Sequence, residues 1–300
     1  MSNTQFHPSY NSQDGDLVLS SSDNVLFRVN SDVMRRASGF FKEMYEMPRS
    51  DDEKPGPLTA TANTVATALD IIYPDRDLPA PSYPIGLPAF TTPCLYDFVE
   101  QLQSFADSYS MPKVTLYVRS LIATGIASDS FRSSQLQLFA LCCEYGWEEE
   151  AKQASTGTLD LDLKSPECDE ALDRLSVRNL RRLQDLHYRR RRAFLDVMEF
   201  KSPDLMRPED VVTDCLQESS THTGKHYWPQ LKLWVSDALE KVPQGTILAD
   251  SKSFDCPELE LFWNYICKRK TCRREIYSKE RILSIFCRLV NSPNNLPNTI

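Results

Sequence analysis

Three hundred residues suffice for one large domain or two modest ones, and 41% hydrophobic with 25% charged residues is the composition of a folded globular chain, which excludes disorder as the default. No apolar run reaches the roughly 20 residues of a bilayer-spanning helix, and Met1-Ser2-Asn3-Thr4-Gln5 lacks the basic flank and apolar segment of a secretory signal. A net charge of −8 argues against broad attraction to nucleic acid; the expected location is intracellular, cytoplasmic and/or nuclear, where nine cysteines read as thiols or metal ligands rather than a disulfide framework.

Residues 1–13 are polar and turn-prone and are expected to form a flexible tail. Asp16-Leu17-Val18-Leu19 and Val25-Leu26-Phe27-Arg28-Val29, joined through Asp23-Asn24, read as a β-hairpin. Asn30-Ser31-Asp32 supplies N-cap chemistry for a short helix carrying Val33, Met34 and Ala37. Ser38-Gly39 breaks it and caps a second helix with Phe40, Phe41, Met44 and Tyr45 at one-turn spacing. Residues 48–57 are acidic and proline-bearing, hence a loop, and 64–73 return to helical periodicity. Residues 79–93 hold Pro79, Pro81, Pro84, Pro88 and Pro93, an insertion too proline-rich for regular structure. Leu95, Phe98, Leu102, Phe105 and Ala106 mark an amphipathic helix over 95–109, which Met111-Pro112 separates from another over 114–122.

Beyond that the signal is helical. Helices over 135–143 and 148–154 flank Tyr145-Gly146-Trp147. A single long helix is expected over 169–198, with Leu172, Leu175, Leu180, Leu183, Leu186, Leu195 and Met198 at three- and four-residue steps. Segments 228–239, 257–267 and 279–290 are further helices between polar loops. No internal repeat and no glycine-rich nucleotide fingerprint is present.

The order hairpin, two short helices, acidic loop, helix, helix pair resembles the BTB/POZ domain over residues 14–124. The residues that carry the resemblance are the two hairpin strands, Ala37-Ser38-Gly39-Phe40-Phe41-Lys42-Glu43-Met44-Tyr45, Leu69-Asp70-Ile71-Ile72-Tyr73-Pro74, and Phe105-Ala106-Asp107-Ser108-Tyr109. Further on, Ala140-Leu141-Cys142-Cys143-Glu144-Tyr145-Gly146-Trp147 and Leu180-Arg181-Arg182-Leu183 through Arg192 resemble the helical, BACK-like region (125–200) of the large fungal, basidiomycete-type set of BTB proteins, with 201–300 a C-terminal helical region. The resemblance implies an α+β fold: a BTB/POZ domain with a small sheet and helices, followed by an all-helical extension. It also implies a non-catalytic protein–protein interaction module, self-associating as a homodimer and acting as adaptor or scaffold, with a dimer face around Leu17, Leu19, Met34 and Ala37. Two alternatives are a substrate adaptor of a cullin-type ubiquitin ligase and a zinc-stabilised, nucleic-acid-associated transcriptional regulator. The chain departs from the family where Asn30-Ser31 replaces the usual His-Lys pair, and in its 79–93 insertion.

Phe27, Phe40, Phe41, Tyr45, Phe98 and Phe105 sit at core periodicity. The run Arg189, Arg190, Arg191 and Arg192, with Arg174, Arg178, Arg181 and Arg182 upstream, is the sharpest charge feature. On a helix four consecutive arginines spread around the axis, so a salt-bridged surface is expected, served by Asp173, Asp185, Asp196, Glu199 and Glu148 to Glu150. Cys215, His222 and His226, followed some fifty residues later by Cys267 and Cys272, follow the logic of a structural zinc site, in which tetrahedral thiolate and imidazole ligands tie distant segments together. The alternative makes Cys267 a buried apolar cysteine and His222 and His226 solvated loop residues. Four histidines, with no Gly-x-Ser-x-Gly, His-Glu-x-x-His or P-loop motif, argue against an enzyme.

Overall fold

The computed structural model describes residues 5–47, 55–73, 92–128, 130–215, 227–269, 272–291 and 296–300. The chain divides into two compact units, residues 1–134 and 135–300. The fold is mixed α and β: a small four-stranded sheet near the N-terminus, followed by helices. Among the described residues no helix is long and apolar enough to cross a membrane.

The first unit opens with β1 (Gln5–Phe6), β2 (Leu17–Ser20) and β3 (Val25–Val29). β2 and β3 form the expected hairpin, Leu19 facing Phe27 across the ladder. Its turn works because Asn24 takes a left-handed φ of 64°, which asparagine tolerates. The Ser21 hydroxyl exchanges bonds with both backbone groups of Val25. Leu19, Phe27 and Val29 are buried. The expected flexible tail is corrected from residue 5 onward: β1 adds parallel to β3, and Tyr10 is buried beside Phe27 with its hydroxyl donating to Asp70 at 2.6 Å. A strand of two residues is too short to leave a periodic signature.

α1 (Ser31–Ala37) starts where Asn30 Oδ1 accepts from the Asp32 and Val33 amides. Asp16 secures the same turn, accepting from both the amide and the hydroxyl of Ser31 at 2.7 and 2.6 Å. α2 (Gly39–Glu46) is capped by Ser38, whose Oγ accepts from Phe41 N. β4 (Gly56–Pro57), within the segment read as loop, pairs parallel to β2, giving the sheet order β1-β3-β2-β4. α3 (Ala62–Ile72) buries Val65, Ala68, Leu69 and Ile72. α4 (Thr92–Ser108) and α5 (Pro112–Ala127) are the expected helix pair, with Pro112 at the first turn where its missing N–H costs nothing. Of the proline-rich insertion, residues 79–91 lie outside the described residues, as do 48–54 of the acidic loop.

The second unit contains α6 (Gln135–Glu144), α7 (Glu148–Gly157), α8 (Asp169–Asp173), α9 (Val177–Met198), α10 (Pro208–Val211), α11 (Trp228–Lys241), α12 (Pro257–Trp263) and α13 (Lys279–Asn291). The single helix expected over 169–198 is two. Ser176 leaves helical geometry, and its Oγ accepts from Asn179 N to start α9. Phe194, Val197 and Met198 of α9 pack with Trp228, Leu231 and Val235 of α11, Phe254, Phe262 of α12 and Phe286 of α13. The C-terminal end of α9, in the stretch read as 125–200, thus packs into the core of the stretch read as 201–300, and the boundary between the compact units falls at 134/135. α12 stops at Trp263, short of the expected 267, because the following backbone is used in pairing: Ile276 N donates to Tyr265 O and Cys267 N to Arg274 O.

Candidate functional site

Three segments of the second unit meet where Thr213 N donates to Ile276 O and Ser278 N to Val211 O on one side, and the Tyr265–Cys267 and Arg274–Ile276 backbones pair on the other. This narrow, antiparallel arrangement brings Cys215 at the end of the first segment to Cys267 and Cys272, which flank a turn closed by Cys272 N donating to Arg269 O at 3.1 Å. All three thiols are buried, at 7%, 5% and 6% exposure, and form a cluster of their own apart from the main core. Their sulfurs lie within 4.8 Å of one another. None of the three is joined in a disulfide.

Arg269 reaches two of the sulfurs. Its backbone N–H donates to Cys267, and its Nη1 donates to Cys215 Sγ at 3.3 Å. The backbone donation draws the Cys267 pKa down, but burial together with the sulfurs of Cys272 and Cys215 outweighs it and leaves the thiol above its ordinary value. Sequence reasoning placed all three cysteines in one site and missed Arg269. The available signal was Lys268-Arg269-Lys270-Thr271-Cys272-Arg273-Arg274, a basic stretch in an acidic chain. His222 and His226, the other expected ligands, lie outside the described residues.

The residues expected at a dimer face do not share one environment. Leu19 and Met34 are each 1% exposed within a single chain, which corrects their assignment: both side chains are already used by the core of their own unit. Leu17 and Ala37 are half-buried. Of the expected core aromatics, Phe27, Phe41 and Phe105 are buried, Tyr45 and Phe98 half-buried, and Phe40 exposed. Two of the stretches that carried the family resemblance, Ser38 to Phe41 and Phe105 to Tyr109, meet at one joint. Ser38 Oγ donates to Tyr109 O, Gly39 N to Ser110 O at 3.0 Å, and the Tyr109 ring packs on Phe40, Phe41 and Phe105. A Cβ at Gly39 would stand 3.1 Å from that of Ser110, so the close approach favours glycine.

The arginine run divides its tasks around α9. Arg189 pairs with Asp185 at 2.7 Å, Arg191 with Glu240 at 3.2 Å and with the Ser236 hydroxyl at 2.8 Å, and Arg192 with Asp196 at 3.2 Å. Arg182 bridges both oxygens of Glu148, and Arg174 meets Glu144 at 2.9 Å. Arg190 departs from the expected surface position: it is 1% exposed, with Nε, Nη1 and Nη2 donating to the carbonyls of Pro243, Pro297 and Gln244. The run therefore offers no row of four open cations to a phosphate backbone. No protein-family model matches the chain, and no curated protein matches its sequence.

Proposed function

We propose that this chain is a non-catalytic protein–protein interaction protein whose N-terminal unit is a BTB-like, self-associating module and whose helical second unit holds another ligand, in the manner of an adaptor or scaffold. One observation carries the reading. The Ser38-Gly39-Phe40-Phe41 stretch and Tyr109, about seventy residues apart in sequence and both among the residues that carry the resemblance, meet at a single joint between α2 and the end of α4. That joint fixes the start of α2 directly after α1, so Ala37 sits at a fixed helix end; it and Leu17 on β2 are the two half-buried apolar positions of the expected dimer face. Self-association through partly open apolar positions on rigid elements costs little ordering entropy, which is what a small interaction module requires.

The test is light scattering of the full-length protein across a concentration series. The expected result is a dimer that the Ala37→Glu variant converts to a monomer with unchanged far-ultraviolet circular dichroism. A wild-type protein that stays monomeric at every concentration would overturn self-association, and with it the adaptor reading in this form.

A further inference from the structure

We propose that Cys215, Cys267 and Cys272 bind one zinc ion as thiolates, with Arg269 as a positioning residue that holds two of the sulfurs and offsets their charge. The proposal is independent of the interaction reading above. Four features of the site carry it.

The first is chemistry. Three cysteine sulfurs gathered from separate segments form a soft donor set, the kind that selects zinc over magnesium or calcium. The second is distance. A Zn–S bond of about 2.3 Å places the sulfurs of a tetrahedron about 3.8 Å apart. The present separations, all within 4.8 Å, need only a contraction on the order of 1 Å. A disulfide would need one pair at about 2.05 Å with its narrow torsion, and it would leave the third thiol without a role.

The third feature is the scaffold. Cys267 and Cys272 flank a tight turn, and a backbone N–H inside that turn points at the Cys267 sulfur. Cys215 enters from a segment anchored to the same hairpin through the Val212–Tyr277 bridge. The fourth is electrostatics. Three thiolates on a dication leave one net negative charge, and the guanidinium of Arg269 already lies at 3.3 Å from Cys215 Sγ. Lys268, Arg273 and Arg274 are exposed on the same turn and add positive potential in a chain of net charge −8.

Binding is a proton exchange without redox change. Each coordinating thiol transfers its proton to solvent as its Zn–S bond forms. Three protein sulfurs leave one position of the tetrahedron, whose donor atom type the cobalt spectrum below identifies.

The experiment takes the full-length protein, reduced and stripped with a chelator, and titrates it with Zn2+ alone and with Co2+ alone. The expected result is one tightly held zinc per chain, and with cobalt a sulfur-to-metal charge-transfer band in the near ultraviolet. Cys215→Ser, Cys267→Ser and Cys272→Ser each abolish that band, whereas Cys142→Ser and Cys287→Ser keep it. Arg269→Met weakens zinc affinity by about 10- to 100-fold, the usual effect of removing a group that orients a ligand. If a serine variant fails to fold, the wild-type cobalt spectrum still decides. Absence of the charge-transfer band, binding that survives all three substitutions, or an intact mass showing a Cys267–Cys272 disulfide in metal-free protein would each overturn the proposal.

Discussion

Replacing Arg190 tests whether α9 is anchored from inside. Its guanidinium donates at 3.1, 3.1 and 3.3 Å to three carbonyls: Pro243 and Gln244, which follow α11, and Pro297 near the C-terminus. Arg190→Met retains the aliphatic stem and strands all three acceptors. An orphaned buried carbonyl costs about 1–3 kcal/mol; the bond to Pro243 is fully buried and those to Pro297 and Gln244 only partly so, for a gross loss of about 3–7 kcal/mol. Part of this is recovered, because the charge no longer has to be buried; that burden is visible in the lowering of the Arg190 pKa by burial, against the pull of Asp160. A net destabilisation of about 3–5 kcal/mol follows, the range found when one member of a buried charged set is removed. Arg190→Lys, which can still reach one carbonyl, falls between, at about 2 kcal/mol. All four tryptophans, Trp147, Trp228, Trp234 and Trp263, belong to the second unit, so urea unfolding followed by tryptophan fluorescence reads that unit alone. Arg190→Met within about 0.5 kcal/mol of wild type, the range of an ordinary surface change, would refute the argument.

His187 gives a pH test. Burial lowers its pKa from 6.5 to about 4, and because the Thr158 hydroxyl proton is donated to Ser155 O, the ring's Nε2 is the donor to Thr158 Oγ1. As pH falls through 6.5 the unfolded chain takes up a proton that the folded chain refuses until about 4, so unfolding free energy declines across that window by about 3 kcal/mol. His187→Gln should flatten that decline in urea titrations at stepped pH; an unchanged slope would show that other groups dominate. In the first unit, a Cβ at Gly125 would lie 2.2 Å from Cε2 of the fully buried Phe131 ring. Gly125→Ala should therefore cost about 1–3 kcal/mol despite better helix propensity. Hydrogen exchange of the α5 amides would register it as faster opening, and slower exchange would contradict the packing argument.

The elements with strong periodicity were legible. The hairpin, the α4–α5 pair, α6, α7, α11 and α13 all fall within a few residues of their sequence-derived ranges, because one apolar face per element dictates both pattern and burial. What escaped depends on few residues or on tertiary partners. β1 and β4 are two residues each and exist through pairing with longer strands. Ser176 divides α8 from α9 by a single hydrogen bond. At the cysteine cluster, spacing brought Cys215, Cys267 and Cys272 together, but the Arg269 contacts arise from turn geometry that spacing does not encode. Leu19 and Met34 were misplaced because an apolar residue on an interface and one in a core look alike in a sequence. Arg190 was readable after all: it lies in the stripe Leu183, Leu186, Arg190, Phe194, Val197, at steps of three and four. The surrounding arginines hid it.

That stripe makes two frame errors of equal size unequal in consequence. A residue removed between positions 187 and 189 rotates the rest of α9 by about 100° and feeds Arg191, Leu195 and Met198 into the places of Arg190, Phe194 and Val197. The interior slot still receives an arginine and the two places beyond it remain apolar. A residue inserted at the same point delivers Arg189, Ala193 and Asp196 instead, hollowing the first apolar place and putting a carboxylate in the second. Four identical neighbours thus make the slot indifferent to slippage in either direction, while the residues that follow them absorb it in only one.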